Sequence, residues 1–130
     1  MRYLSLDVGT RRTGVAYLDS DTGIPLPLDT LTHLSENELV EAVMEILRLR
    51  KIDRVIVGLP LLPSGDEGAQ TSVSRSIGDA IAAKGVAVQY RDERYTTASG
   101  KAHKHTVSQS EFDGDAAAAC ELLNGLKTAD

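Results

Sequence analysis

Three acidic residues stand at positions where folding would bring them together. Asp7 lies at the end of the predicted first strand, and Asp115 lies at the start of the last predicted helix. Glu93 or Asp92 ends a later strand, and strand alternation allows only one of the two on a given face. Because ligand sites of open α/β sheets form at the carboxyl ends of the strands, we expect these carboxylates to converge there.

Each of these acidic residues also has an explanation that involves no catalysis. A turn explains Asp7, and an ion pair with Arg91 or Arg94 at the strand end explains Glu93 or Asp92. An N-cap of the last helix explains Asp115 or Asp113. Asp115, however, begins a helical face that continues with Ala118, Ala119, Leu122 and Leu126. A carboxylate on that face costs several kcal/mol to bury unless it is paired or binds a cation. The spacing alone leaves capping and a buried site both open.

Three convergent carboxylates without cysteine ligands suit a hard divalent cation, Mg²⁺ or Mn²⁺. A single cysteine, Cys120, rules out both an internal disulfide and a cysteine cluster for zinc. A pair of such ions about 3.5–4 Å apart is a common device for in-line hydrolysis of phosphodiesters. The carboxylates therefore predict a hydrolase, and more specifically a metal-dependent nuclease.

Length and composition limit the alternatives. The chain has 130 residues, so we expect one domain over 1–130. The net charge of −5 weighs against non-specific nucleic-acid binding but is compatible with a local basic patch beside carboxylates. We find neither a signal peptide nor an apolar run near the roughly 18 residues that a membrane span needs. We expect a cytoplasmic protein without a membrane partner.

The elements that must position the acidic residues follow from periodicity and capping signals. Alternation predicts a strand over 3–8, a second strand over 15–18 and a third extended stretch near 24–32, where Pro25 and Pro27 favour an edge position. The remaining elements are a helix from the Ser35 cap to about 51, a buried strand over 55–59, a helix through 73–81 that stops at Gly85, a strand over 86–90, and a helix over about 113–126.

This order predicts an α/β fold. Three consecutive strands indicate an antiparallel meander, and the later strands, separated by helices, indicate crossover connections. The expected architecture is a mixed five-stranded sheet with helices on both faces.

The sequence resembles the YqgF/RuvX family. Four segments carry the resemblance in chain order: Asp7-Val8-Gly9-Thr10-Arg11-Arg12-Thr13-Gly14-Val15-Ala16; Val57-Gly58-Leu59-Pro60 with Gly65, Glu67-Gly68 and Gln70; Asp92-Glu93-Arg94-Tyr95-Thr96-Thr97; and Asp115 followed by Ala118-Ala119. They span nearly the whole chain. Only the polar stretch over 98–111 departs from the pattern, with fewer aliphatic and basic residues than the family would have there.

The resemblance implies an RNase H-like fold and an endonuclease of the RuvC-like superfamily. It implies that Asp7, Glu93 and Asp115 are the catalytic residues and bind Mg²⁺ or Mn²⁺, with two ions per site. It also implies a set of residues around the substrate phosphates: Arg12, Arg94, Thr97, Gly58, Pro60 and Gln70.

The implied partner is nucleic acid. Of the two activities attached to the family, we favour maturation of the 5′ end of pre-16S ribosomal RNA, in contact with ribosomal particles, over resolution of Holliday junctions in DNA. Trimming one RNA strand needs only a monomer, whereas symmetric resolution of a branched DNA needs two active sites and therefore a homodimer.

Two further hypotheses belong to other classes of protein. The segment Asp7-Val8-Gly9-Thr10 also resembles the first phosphate loop of actin-like ATPases and sugar kinases, but those enzymes need two such domains and this chain is too short. The other hypothesis is a non-catalytic RNA-binding factor of ribosome assembly that uses the RNase H-like fold as a scaffold. Metal-dependent cleavage would exclude it.

Overall fold

The structure, a computed structural model, describes residues 1–93, 114–124 and 126. Nine helices and strands form in these residues: β1 (Arg2–Asp7), β2 (Arg12–Asp19), β3 (Leu26–Pro27), β4 (Leu31–Thr32), α1 (Glu36–Arg50), β5 (Arg54–Leu59), α2 (Ala69–Ala82), β6 (Val88–Asp92) and α3 (Gly114–Asn124). None of the described helices is long and apolar enough to cross a membrane.

The strands form one mixed sheet in the order β3-β2-β1-β5-β6, with β4 also paired to β2. β1 pairs antiparallel with β2 and parallel with β5, and β5 pairs parallel with β6. This arrangement confirms the predicted α/β class, the antiparallel start and the helical crossovers. It also places the ends of β1, β5 and β6 side by side at one edge.

The third extended stretch differs from its prediction. Instead of one strand near 24–32, two strands of two residues each form there, so the sheet has six strands rather than five. Pro27 pairs with Ala16 of β2, but neither it nor Pro25 has a backbone N–H to donate, so the ladder with β2 stays short here. The predicted edge position of this stretch is confirmed, since β3 lies at the end of the strand order.

Capping residues fix the two helices that follow. Ser35 caps α1 by accepting a hydrogen bond from the Glu38 N–H, and the Glu38 carboxylate accepts one from the Leu34 N–H at 2.8 Å. Lys51 ends α1 in the left-handed conformation at φ 55°. Gly85, with φ 91°, follows the end of α2 as predicted.

Helices cover both faces of the sheet. One core lies between the sheet and the helices α1 and α2, and it contains Leu4, Leu6, Val15 and Val57. The other lies under α3 and contains Tyr3, Ala16, Leu18, Ile56, Ala119, Leu122, Leu123 and Leu126. Successive residues of β1 and β5 alternate between the two cores, as a strand buried on both faces requires.

The buried face of α3 is rotated from the predicted one. Ala119, Leu122 and Leu126 are buried as expected, whereas Ala118 is half-buried and its place is taken by Ala116 and Leu123. The Ser5 hydroxyl donates to the Ala119 carbonyl at 2.6 Å and sets how the helix lies on β1.

Candidate active site

Asp7 and Glu93 come together at the carboxyl edge of the sheet. Asp7 is the last residue of β1, on the face that α3 covers, and Glu93 follows the last residue of β6. Strand β5 lies between them. The Glu93 N–H donates to the Leu59 carbonyl at 3.0 Å, which extends the parallel pairing by one residue and turns the Glu93 carboxyl toward Asp7.

Gly58 provides the space for the Glu93 carboxyl. A Cβ atom at Gly58 would lie well inside 3.0 Å of Glu93 side-chain atoms, a distance that real Cβ contacts do not show. Only glycine at this position of β5 therefore lets the carboxyl lie across the strand toward Asp7. The sequence predicted Gly58 as a residue of a substrate-binding loop. The structure shows that its lack of a side chain makes room for the Glu93 carboxyl.

Burial and mutual repulsion shift the protonation of the pair. Burial, followed by the nearby charge of Asp7, raises the pKa of Glu93 to about 8. Burial also raises the pKa of Asp7, while a hydrogen bond from Glu93 opposes that rise. Near neutral pH the Glu93 carboxyl is therefore mostly protonated, and it donates a hydrogen bond to Asp7. The Oε2 atom of Glu93 is buried and accepts no hydrogen bond from the described residues.

Asp115 reaches the same edge because α3 approaches the sheet closely. Gly14 pairs with Asp7 across β1 and β2, and a Cβ atom at Gly14 would clash with the Asp115 backbone carbonyl. The first turn of α3 therefore rests directly on Gly14, and the negative charge of Asp115 raises the pKa of Asp7. This placement joins Asp115 to the site, whereas Asp113, the other capping candidate, lies outside the described residues.

Arg12 holds the Asp115 carboxylate. Its Nε atom lies 3.0 Å from Asp115 Oδ2, and both side chains are partly exposed, by 58% and 37%. Arg12 is the first residue of β2, so the same turn that follows Asp7 supplies this cation. The predicted substrate residue is thus placed beside the predicted catalytic carboxylates.

The three carboxylates have the chemistry of a magnesium or manganese site, with one rearrangement needed. Hard oxygen donors are the ligands that these cations prefer, and the side chains that carry them here are half-buried. Within residues 1–93 and the described part of α3, however, no three His, Cys, Asp or Glu side chains are grouped closely enough to hold one ion as they lie. In this arrangement the Asp115 carboxylate is turned toward Arg12.

Two other predicted substrate residues have partners inside the protein. The Gln70 side chain donates to the Val8 carbonyl at 3.0 Å, and the Pro60 carbonyl accepts from the Thr71 hydroxyl at 2.9 Å. These bonds tie the start of α2 to the ends of β1 and β5. Arg94 and Thr97, like the atypical stretch over 98–111, lie outside the described residues.

Ser5, Gly14 and Gly58 shape the site in ways that the sequence did not predict. All three lie on the α3 face of the sheet. Gly14 lets the backbone of Asp115 approach, and Gly58 lets the side chain of Glu93 approach. A signal was present, because a buried strand with serine or glycine on one face predicts close contact on that face. The partner in that contact could not be read from the strand alone.

Comparisons with known proteins agree on family and fold. The family model described as RuvX, Holliday junction resolvase, matches residues 1–126, which confirms the resemblance found in the sequence. A protein of Anaeromyxobacter sp. (strain Fw109-5) named "Putative pre-16S rRNA nuclease" is 35% identical over 130 residues, covering 96% of this chain and 95% of its own length. One of the same name from Chloroflexus aurantiacus (strain ATCC 29366 / DSM 635 / J-10-fl) is 37% identical over 95 residues, covering 72% of this chain and 62% of its own.

Solved structures of junction-resolving enzymes share the fold. Thermus thermophilus RuvC superposes with a TM-score of 0.70 at 14% identity, covering 99% of this chain and 95% of its own. The fowlpox virus Holliday junction resolvase superposes with a TM-score of 0.60 at 14% identity, covering 100% of both chains. At these identities the likeness concerns the fold, and it confirms the predicted RNase H-like architecture.

Proposed function

Because this chain belongs to the RuvX family of Holliday junction resolvases, we propose that it is a nuclease that hydrolyses phosphodiester bonds in structured nucleic acid with the help of divalent metal ions. Its proposed substrate is pre-16S ribosomal RNA, the RNA in the names of its relatives, and within that RNA its 5′ end. The observation that carries the proposal is the pair of Asp7 and Glu93, half-buried at the strand ends with Asp115 beside them.

Asp7, Glu93 and Asp115 would hold Mg²⁺ or Mn²⁺, two ions per site. When bound, such ions stabilise charge on the phosphoryl oxygens and lower the pKa of a water molecule that attacks the phosphorus. The pair of Asp7 and Glu93 would supply half-buried oxygen ligands, and Gly58 makes room for the Glu93 carboxyl beside Asp7. Asp115 completes the set once its carboxylate turns from Arg12.

Arg12 contributes positive charge at the point where the phosphate must lie. A guanidinium binds a phosphate through the same paired N–H groups with which it binds a carboxylate. A phosphate of the substrate can therefore replace the Asp115 carboxylate on Arg12, which frees Asp115 for the site. Arg94 and Thr97 would bind neighbouring phosphates.

Resolution of Holliday junctions is the second candidate function, favoured by the description of the family model. It differs from RNA trimming in a structural requirement, because two symmetric cuts need two active sites and hence a homodimer. A monomeric protein that cuts RNA would contradict this second candidate.

The decisive experiment is cleavage of two labelled substrates, a 5′ segment of precursor 16S rRNA and a synthetic four-way DNA junction. Each is incubated with Mg²⁺, Mn²⁺ or EDTA and with wild type, Asp7→Asn or Asp21→Asn. Asp21 is the matched control, since it is an exposed aspartate in the turn after β2, at the other end of that strand from Arg12.

We expect metal-dependent cleavage of the RNA that falls at least about 100-fold in Asp7→Asn and is unchanged in Asp21→Asn. Cleavage of the junction alone would select the second candidate. Absence of cleavage of either substrate by a folded protein that still binds RNA would overturn the proposal in favour of a non-catalytic assembly factor.

A further inference from the structure

A divided cleft lies on the other side of the loop that follows Asp7. One part has a volume of about 290 Å³ and is lined by Arg11, Arg12, Thr32, His33, Leu34 and Glu38. The adjoining part has a volume of about 210 Å³. Both are lined by His33 and Leu34, so we refer to them together as the Leu34 cleft. It lies between the loop over 9–12 and the start of α1.

The floor of the smaller part is apolar. It is formed by the side chains of Val8, Leu39, Val73 and Ile77, of which all but Val73 are buried. Its rim is polar and includes Thr10, Ser35 and the Glu36 carboxylate. An apolar floor with a few polar groups at the edge is the usual composition of a site for a flat organic ring.

Leu34 is an exposed apolar side chain between the two parts of the cleft, on a hydrogen-bonded stretch of backbone. It is 77% exposed, the highest value among the large apolar side chains of the described residues. The backbone around it is fixed, because the His33 N–H donates to the Arg11 carbonyl at 3.0 Å and the Leu34 N–H donates to Glu38. A single exposed leucine is ordinary. An exposed leucine whose backbone is hydrogen bonded at the mouth of an apolar cleft provides a surface against which a ring can pack.

The cations of the cleft adjoin the candidate active site. Arg11 and Arg12 line the larger part together with Glu38, and Arg12 also contacts Asp115 in the candidate active site. A strand whose phosphate lies at Arg12 therefore passes over the mouth of the cleft. Phosphate contacts of this kind position a strand without reading its sequence.

We propose that the Leu34 cleft binds one unpaired nucleobase of the substrate strand, next to the phosphate that is cut. The proposal rests on the proposed nuclease function and specifies its substrate as a strand that is unpaired at the cleavage site.

The register of β1 gives the geometric reason for this placement. Asp7 and Val8 are consecutive, so their side chains lie on opposite faces of the sheet edge, with the carboxylates on one side and the cleft on the other. A strand that crosses the loop over 9–12 places a phosphate at Asp7 and the neighbouring base above Val8. A base in a duplex is stacked and cannot enter such a cleft without leaving its helix.

The test is an abasic scan of binding in EDTA, where no cleavage occurs. The probe is a fluorescently labelled single-stranded RNA of mixed sequence, and each nucleotide in turn is replaced by an abasic one. Dissociation constants are measured for wild type, Leu34→Glu and Leu49→Glu. Leu49 is the matched control, because it is also exposed, by 64%, but lies near the far end of α1.

We expect abasic replacement at one or two adjacent positions to weaken binding by wild type about fivefold, the loss expected when one ring leaves an apolar site. Leu34→Glu should bind the intact RNA about fivefold more weakly and lose the abasic penalty, since the two changes remove the same interaction. Leu49→Glu should behave like wild type. The same scan on single-stranded DNA shows whether the cleft distinguishes the two sugars.

Equal abasic penalties in wild type and Leu34→Glu, on RNA and DNA alike, would overturn the proposal. A change of oligomeric state in Leu34→Glu without a change in binding would overturn it too and would assign the leucine to a protein contact. Because binding is measured without metal, either result stands apart from the cleavage assay, which alone tests the nuclease function.

Discussion

The two faces of the sheet are built from different residues, although the same strands form both. Against α1 and α2 the strands present large aliphatic side chains, such as Leu4, Leu6 and Val57. Against α3, near the carboxyl edge, they present Ser5, Gly14 and Gly58. The first face gains stability from buried apolar area, whereas the second gives up such area so that carboxylates and backbone approach one another closely.

This difference teaches that stability and the candidate site are separable in this protein. Changes on the α1 and α2 face should alter the free energy of unfolding with little effect on cleavage by the folded molecules. Changes among the small residues of the α3 face should act on the site. Substitutions on the two faces test that separation, from the largest expected effect to the smallest.

Gly14→Ala should have the largest effect. The new Cβ would clash with the backbone of Asp115 and Ala116, which cannot move without displacing α3. We expect the free energy of unfolding to fall by about 4 kcal/mol or more, and cleavage to be lost with it. Urea unfolding and the cleavage assay measure the two quantities.

Gly68→Ala is the control for that substitution, since its Cβ would meet only the flexible end of Leu62, at 3.3 Å. If the Gly14→Ala variant is as stable as the Gly68→Ala variant, α3 does not lie as close to β2 as the contact between Gly14 and the Asp115 backbone requires.

Leu4→Ala should reduce stability and leave the site intact. Leu4 is fully buried on the α1 and α2 face, so its truncation should cost about 2–5 kcal/mol of unfolding free energy. The rate of cleavage per folded molecule should stay within about twofold of wild type. Urea unfolding and single-turnover cleavage check this together. A large loss of rate in the folded fraction would show that the two faces are not independent.

Gly58→Ala should give the opposite result to Leu4→Ala. Its Cβ would displace the Glu93 side chain, which can rotate away, so the fold should persist while the pair with Asp7 is broken. We expect cleavage to fall about 10- to 100-fold, with a change in unfolding free energy of about 1 kcal/mol or less. Retention of full activity would exclude a catalytic function for Glu93 in its present position.

Arg12→Gln should weaken substrate binding with little effect on stability. Its ion pair with Asp115 is partly exposed, and such pairs contribute about 0–1 kcal/mol. Loss of one phosphate contact should lower the salt dependence of RNA binding by about one unit of slope.

Arg48→Gln is the matched control for Arg12→Gln, because Arg48 is also paired with a carboxylate, that of Glu45, in a more exposed position on α1. An unchanged salt slope in Arg12→Gln, measured by titration at several salt concentrations, would remove Arg12 from the substrate-binding residues.

The smallest effect concerns pH and His33. This side chain is 7% exposed and hydrogen bonded to the Thr13 hydroxyl at 2.9 Å, and burial lowers the pKa of its imidazole, although the charge of Glu38 opposes that shift. Because the neutral form is favoured in the folded state, its contribution to stability is complete above the ordinary value of 6.5. It is lost as the pH falls below that value.

We therefore expect wild type to lose more stability than His33→Gln when the pH is lowered from about 7 to about 5. Urea unfolding at both pH values measures the difference. A steeper loss in His33→Gln would show that folding does not lower the pKa of this imidazole.

Much of the fold could be predicted because its signals are local. The alternation of β1, the Ser35 cap of α1 and the apolar run of β5 each depend on neighbouring residues, and all three are confirmed. The third stretch was mispredicted in length because Pro25 and Pro27 donate no backbone hydrogen bonds and two short strands form in place of one. The buried face of α3 was mispredicted by about one residue, since Ala116 and Leu123 are buried while Ala118 is half-buried.

The candidate site divides in the same way. The sequence by itself determined which carboxylates are available and at which strand and helix ends they lie, because residue type and periodicity are written in the chain. Only the tertiary structure decided that Gly58 makes room for Glu93, that Gly14 lets Asp115 approach Asp7, and that Arg12 holds the Asp115 carboxylate. Each of these contacts joins residues far apart in sequence. Their distances depend on strand register and helix packing, which no local pattern contains.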